Sequence, residues 1–251
     1  MKKKKVAFLG AKKIGYLCFK DLITHHQDDE CEIVGVITRE TNLDAGESIT
    51  SLCNHQNIPL LRDLKALLDL KELDILISVQ HDQILKREHI DKASDVAVNL
   101  HLAPLPEYRG CNQFSFAIID RANSFGATLH KIDEGIDNGD ILFEKRFQIN
   151  PDQIWVDELY QKTVDAGSEL FTDHINDLLA GNYVAVPQEK FVKSRGTSIH
   201  YRKEIMDIKQ IDLSWDAGKI DTHIRATSMP GFDPPYTFIG NQKVYFRKAS
   251  N

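Results

Sequence analysis

A short, uninterrupted apolar run followed by helix-like spacing recurs about every thirty residues in the first part of this chain. That recurrence constrains the fold more than any other feature. The runs sit in "KVAFLG", "CEIVGVIT", "DILISV" and "DVAVNLH". Each is apolar at consecutive positions, as a strand is when both of its faces are covered. Between them lie "KKIGYLCFKDLI", with Leu17, Leu22 and Ile23 near helical spacing, "AGESITSLCNHQ", "LKALLDL" and "KREHIDKA". Strands alternating with helices in this way predict βαβ units. The expected class is α/β, a mostly parallel sheet with helices on both faces.

The pattern continues past residue 110. "QFSFAIID" reads as a helix, "GATLHKID" as an extended segment with alternation, and "DILFEKRFQI" as a strand that Pro151 ends. A long helix is predicted over 155–179, with Leu159, Thr163, Leu170, Ile175 and Leu178 as its apolar stripe and Gly181 as its stop. From about Lys193 the texture changes. "GTSIHYRKE", "QIDLSW", "PPYTFIG" and "KVYFRKA" are short β-like pieces around one helix, Ala217 to Ala226. The reading is an α/β domain over 1–190 and a small β-rich C-terminal appendage over 191–251.

With 251 residues, 42% of them hydrophobic and 27% charged, the chain can bury a sizeable core. A net charge of −6 argues against a non-specific grip on nucleic acid, which requires neutralised phosphates. The Lys2–Lys5 run reads as a solvated terminus before the first strand. The apolar stretch after it is too short for a signal peptide, and no segment approaches a membrane span. Cys18, Cys31, Cys53 and Cys111 form no CxxC pair, and Cys53 with His55 falls short of a zinc set, so no metal is expected. Reduced cysteines and a cytoplasmic protein follow as expectations.

Gly10 and Gly15 lie in a strand-to-helix turn, which raises a Rossmann-like dinucleotide site. The fingerprint needs a middle glycine where the backbone approaches a pyrophosphate, and "GAKKIG" has Lys12 there. A phosphate-binding Walker loop fails because Tyr16 follows Gly15. Glu40 ends the second strand, roughly where a ribose-binding acid would lie. A turn glycine and a helix-packing glycine account for the pair better.

"VNLHLAPLPEYRG" holds the candidate chemistry. Strand side chains alternate, so Asn99 and His101 face the same way at a strand's carboxyl end, where open α/β sheets bind ligands. Pro104, Pro106 and Gly110 shape the turn that follows. "KIDEGIDNGDIL", Gly-punctuated and acidic, falls between two later strands and can bring Asp133, Glu134, Asp137 or Asp140 over that edge. An amide and a protonated imidazole can stabilise an oxyanion, and a carboxylate can hold the imidazole and accept protons. A histidine at a strand end that merely makes a hydrogen bond is the alternative.

The ordered set "NLHLAPLPEYRG…FAIID…GATLHKIDEGIDNGDIL" closely resembles the formyl transferase family, which uses N10-formyltetrahydrofolate. The resemblance covers about residues 3–190, and "IDLSWDAGKIDTHIRATSMPG" is similar to the start of the family's C-terminal region. It implies a catalytic triad of Asn99, His101 and Asp137. One departure is His101-Leu102-Ala103, where His-Pro-Ser is common. The resemblance also implies a folate pterin against "SVQHDQIL" and the backbone of 132–137. Gln80, His81, Ile84, Leu85, Ile132, Asp133, Glu134 and Asp137 are then the candidate lining. Thr128 and His130 resemble family positions, with packing beneath the site as the other reading. Arg109, Asn112 and Gln113 are candidates for the acceptor, Asn112 and Gln113 having a helix N-cap role as their alternative.

The implied reaction is formylation of an amine, with no metal. The short tail and "LAPLPEYRGCNQFSFAIID" look most like the sugar N-formyltransferases acting on dTDP-linked amino sugars. That resemblance leans to dTDP-4-amino-4,6-dideoxyglucose and lipopolysaccharide O-antigen biosynthesis. Tyr201, Arg202 and Lys203, or the "GFDPPY" turn, are candidates for the nucleotide, since a diphosphate wants cationic donors and a base an aromatic face. The expected partner is a nucleotide sugar, with no nucleic acid and no membrane; a homodimer is admitted. A methionyl-tRNA formyltransferase with a reduced C-terminal domain, or a non-catalytic dinucleotide-binding domain, are the alternatives.

Overall fold

The computed structural model describes residues 3–39 and 46–248; Lys2 and Glu40, noted above, lie outside them. The first half runs β1 (Lys4–Ala11), α1 (Lys12–Gln27), β2 (Cys31–Arg39), α2 (Ile49–Gln56), α3 (Leu64–Leu68), β3 (Ile75–Val79), α4 (Arg87–Ile90) and β4 (Val96–His101). These are the alternating elements predicted, and their strands pair in parallel: β1 with β2 and β3, and β3 with β4. Then come β5 (Arg109–Gly110), α5 (Gln113–Ile119), β6 (Ser124–Lys131), β7 (Ile141–Gln148) and α6 (Val156–Ala180). Strands β6 and β7 join antiparallel, giving a six-stranded sheet of order β2-β1-β3-β4-β6-β7.

The continuous apolar runs have the predicted cause. On β1, Val6 and Phe8 pack with Phe19, Leu170 and Phe171 of α1 and α6, while Ala7 and Leu9 pack on the other side with Leu67 of α3 and Leu76. Both faces are therefore covered. Truncating a side chain such as Phe171, 1% exposed, is expected to cost about 3–5 kcal/mol. Helix α6 buries the predicted stripe, Leu159, Thr163, Leu170, Ile175 and Leu178, and ends on Gly181 at φ 73°.

The remaining elements are α7 (Glu189–Arg195), β8 (Ile199–His200), a 3-10 turn (Arg202–Glu204), α8 (Ile205–Lys209), α9 (Ala217–Thr227), β9 (Tyr236–Ile239) and β10 (Gln242–Tyr245). The antiparallel β9–β10 hairpin matches the expected small strands. "GTSIHYRKE" differs from its reading: only Ile199 and His200 are strand. Glu204 is the reason, because its carboxylate accepts from Tyr201 N at 3.1 Å and meets His200 Nδ1 at 3.0 Å, turning the chain into helix. "QIDLSW" is a loop apart from a bridge of Gln210 to Tyr236. Helix α9 docks on the α/β body, where Ala226 joins Ala117, Ile118 and Leu159 in one apolar cluster. Buried Arg225 donates from Nη1 to the carbonyls of Pro151 (2.7 Å) and Ile154 (2.9 Å). Among the described residues, no helix is long and apolar enough to cross a membrane.

Candidate active site

Strand β4 delivers Asn99 and His101 to one face, as alternation requires. Its antiparallel neighbour β6 sets His130 opposite Asn99 and Thr128 opposite His101, so all four share that face. The 133–140 loop between β6 and β7 then folds over them. It places the Asp137 carboxylate between two imidazoles: Oδ2 lies 3.6 Å from His101 Nδ1 and Oδ1 lies 3.6 Å from His130 Nε2. The backbone N–H of Gly110 donates to Asp137 Oδ2 at 2.9 Å. Asn99, His101 and Asp137, distant in sequence, are thus brought together. Asp140 is not at this centre; its backbone carbonyl closes the loop by accepting from Lys131 N at 2.9 Å.

The hydrogen bonds orient each ring. His130 Nδ1 donates to the Lys131 carbonyl at 2.7 Å, and Nε2 lies 3.2 Å from Asn99 Nδ2 and 3.6 Å from Asp137 Oδ1: the neutral ring accepts there from Asn99, and the protonated ring turns a donor and a charge to Asp137. Asn99 keeps its second N–H for another acceptor. His101 Nε2 donates to the Tyr108 carbonyl at 2.8 Å, while Nδ1 faces Asp137. A neutral ring carries one N–H and satisfies one of these two acceptors; the doubly protonated ring satisfies both. Burial by itself would push the Asp137 carboxyl up. The charges of His101 and His130, contact with His130 and the Gly110 N–H outweigh it and hold the group well below the ordinary carboxylate range.

The turn between β4 and β5 is built for this purpose. Gly110 sits at φ 88°, and a Cβ there would meet the His200 carbonyl oxygen at 2.2 Å, so glycine is required. Gly139 is likewise enforced, since its Cβ would lie 2.0 Å from the Lys131 carbonyl. Thr128 does pack beneath: its hydroxyl donates to the Ala103 carbonyl at 2.8 Å and accepts from Leu105 N. His130, by contrast, is part of the centre. Its signal in the sequence was the same-face spacing with Thr128, and only the β4–β6 register decides its partner.

The other predicted residues fall into three groups. Gln80 follows β3 at φ 56° and accepts from Lys12 Nζ at 2.9 Å; beside it His81 is half-buried with Nε2 unpartnered, and burial lowers its pKa. Leu85 and Ile132 pack in one cluster with Ile90, which brings the β3 loop against the start of the 132–137 segment. Ile84 is 89% exposed and Asp133 and Glu134 are exposed, so these stand apart from that contact. Arg109 is half-buried with Nε unpartnered, and Gln113 is buried at the start of α5. Asn112 occupies the N-cap position of α5, but its amide does not cap. It donates instead to the carbonyls of Tyr201 (2.9 Å) and Arg202 (3.4 Å), which ties the tail to the site loop. Tyr201, Arg202 and Lys203 are exposed on the 3-10 turn rather than on a strand. An open cavity of about 480 Å³ lies at the other end of β4, lined by Arg87, Asp95 and Lys131 among others. It shares only Ile132 with the predicted residues and none of the triad, so the chemistry is placed by the side-chain geometry and not by cavity size.

Two residues escaped the sequence reading. Lys12, read above only for the glycine it replaces, opens α1 at φ 60° beside Gln80, and burial and then the charge of Arg202 lower its pKa. Gln188 reaches the Asp137 loop from beyond α6.

The model of the formyl transferase family matches residues 4–175. The chain belongs to that family. It is 30% identical over 267 residues to the methionyl-tRNA formyltransferase of Bdellovibrio bacteriovorus, covering all of this chain and 80% of that one. It spans 60% and 63% of the length of two further curated relatives. Among solved structures, the N-formyltransferase of Helicobacter canadensis, in complex with folinic acid and dTDP-3-aminofucose, superposes with TM-score 0.76 at 23% identity. That match covers 96% of this chain and 86% of the other. A 4-N formyltransferase from Francisella tularensis gives TM-score 0.73 at 20% identity, covering 98% and 99%. At these identities the structures show a shared fold, here that of the formyl transferases.

Proposed function

We propose that this formyl transferase moves a formyl group from N10-formyltetrahydrofolate to the amine of a nucleotide-linked amino sugar, dTDP-4-amino-4,6-dideoxyglucose being the first candidate. The observation that carries the chemistry is the Asp137 carboxylate held between His101 and His130 on the face that also presents the Asn99 amide. The acceptor amine must arrive neutral to attack the formyl carbon. The free N–H of Asn99 donates to the oxyanion that develops, and His101, whose ring nitrogens are turned to the Tyr108 carbonyl and Asp137, stabilises it through the charge of its protonated ring. Asp137, kept ionised by its two histidine neighbours, takes or relays the proton lost by the attacking nitrogen. The folate leaves with N10 protonated. Leu85 and Ile132 offer an apolar contact for the pterin, and exposed Ile84 stands at the same loop.

One observation favours a nucleotide sugar as acceptor. Lys12 and Arg202 lie closely enough for the charge of Arg202 to disfavour that of Lys12, and Lys12 donates to the neutral Gln80 amide. A diphosphate between them would relieve that repulsion. The fold itself accommodates either acceptor: the Francisella 4-N formyltransferase and this chain cover each other at 99% and 98%, and a methionyl-tRNA formyltransferase of Clostridium thermocellum and this chain at 93% and 99%. The identity to the Bdellovibrio tRNA enzyme is what supports the second reading, a methionyl-tRNA formyltransferase with a reduced C-terminal part. Incubation with N10-formyltetrahydrofolate and either a panel of dTDP- and UDP-amino sugars or methionyl-tRNA, read by product mass, tests the choice. A formylated sugar with unchanged methionyl-tRNA is expected. Formyl-methionyl-tRNA as the sole product would reverse it.

A further inference from the structure

Asp137 holds a left-handed backbone conformation, φ 45°, which a non-glycine residue adopts only under constraint from its surroundings. Within the loop, Asp133 Oδ1 accepts from Gly135 N at 3.0 Å and Lys131 N bonds the Asp140 carbonyl, but these bonds lie to either side of Asp137. Gly110, His101 and His130 hold the Asp137 carboxylate, whereas the donor to its backbone carbonyl comes from a residue 51 positions away. Gln188 is 4% exposed, and its amide nitrogen donates to the carbonyls of Asp137 and of Gly139, each at 2.8 Å. A primary amide has two N–H groups, and here both are spent on the same loop, one on either side of Asn138. Gln188 is itself anchored nearby, because Val186 and Ile141 exchange both backbone hydrogen bonds at 2.9 Å at the start of β7. The two donors therefore act from a fixed support onto the peptide that aims the carboxylate.

We propose that Gln188 is a positioning residue that holds the Asp137 carboxylate in register with His101 and His130. The segment beyond α6, which lies outside the 4–175 match to the family, is on this account part of the catalytic apparatus. The inference rests on the formyl-transfer reading for its kinetic consequence, though not for its structural one. The side chains that could substitute are few. Glutamate has the same length, but when ionised it carries no donor and would repel both carbonyls. Methionine keeps most of the volume and has no donor. Either change leaves Asp137 joined to its neighbours and frees its backbone to leave the strained conformation.

The test uses the full-length protein with Gln188→Met and Gln188→Glu. Two readouts are followed: steady-state kinetics with N10-formyltetrahydrofolate and the best nucleotide amino sugar, and the ¹³Cγ titration of Asp137 without any substrate. The expected outcome is a fall in kcat of about 10- to 100-fold, the scale of a misplaced catalytic group, with KM for both substrates changed by less than about threefold. The Asp137 titration should move up toward the ordinary carboxylate value as its histidine contacts loosen. Wild-type kcat and an unmoved Asp137 titration in either folded variant would overturn the proposal. So would loss of the folded state in both, which would assign Gln188 to stability alone. If no amino sugar is formylated even by the wild type, the acceptor reading fails, while the Asp137 titration still decides the role of Gln188.

Discussion

Asp137 meets two opposing demands: a site dry enough to strengthen its contacts, and a charge that such a site disfavours. Its two imidazole neighbours and the Gly110 N–H resolve the conflict in favour of the carboxylate. Asp137→Asn is expected to bind both substrates and to lose about 10²-fold or more in turnover, the usual scale for a positioned acid–base group. Asp133→Asn, on an exposed side chain that only braces Gly135, should run nearly as the parent does. Reversal of those two rates would move the catalytic role to Asp133. A pH effect accompanies this. The folded-state value of Asp137 lies below the ordinary 3.8, so its stabilising contribution is fully present above that pH and is lost as the pH falls through the folded value. Thermal unfolding of both proteins should therefore show the gap between parent and Asp137→Asn narrowing as the pH drops below 3.8. A gap that widens on acidification would contradict the charged-carboxylate arrangement. The acid limb of the rate profile should also differ between the two, because the His101–Asp137 pair no longer forms.

At the level of elements, the site depends on short pieces that lock together across the chain. Strand β5 lies against β8, with Arg109 opposite Ile199 and Gly110 opposite His200. Gly110→Ala would force a Cβ against the His200 carbonyl and strain a positive φ at once. A loss of about 1–3 kcal/mol in urea unfolding is expected, together with slower turnover because the donor to Asp137 shifts. An alanine variant as stable and as fast as the parent would show that β5 can move freely. Helix α9 is tied down by Arg225. Arg225→Met keeps its packing but leaves two buried carbonyls unsatisfied, so a loss of about 2–4 kcal/mol is expected. Thermal denaturation measures it, and an unchanged midpoint would mean that α9 docks through Ala226 and its apolar neighbours alone.

For the whole molecule, the net charge of −6 bears on the acceptor. A diphosphate makes few charge contacts and a tRNA backbone many, so the rate with a nucleotide sugar should depend weakly on salt. Arg202→Ala and Lys12→Met should mainly raise KM for that sugar, if both cations grip the nucleotide equally in ground and transition states. A steep fall in rate with added salt would speak for a polyanionic acceptor and leave the triad untouched.

Periodicity and spelling carried the sequence reading a long way. Consecutive apolar positions implied strands covered on both faces, and Phe8 with Leu9 shows why: one meets α1 and α6, the other α3. The two-residue spacing of Asn99 and His101 set them on one face by strand geometry alone. Those are local properties, written in i and i+2 or i and i+4 relations. What only the tertiary structure decided are relations across long separations. The antiparallel register of β6 on β4 chose His130, not Thr128, as the partner of Asn99. The amide of Asn112 bonds the 3-10 turn instead of its own helix, and the polar pieces after residue 193 became helix where a glutamate could cap them. Gln188 looks in sequence like any polar residue after a proline. Its role exists only because the chain beyond α6 returns to the Asp137 loop, where a buried amide must find acceptors and the loop's carbonyls must find donors.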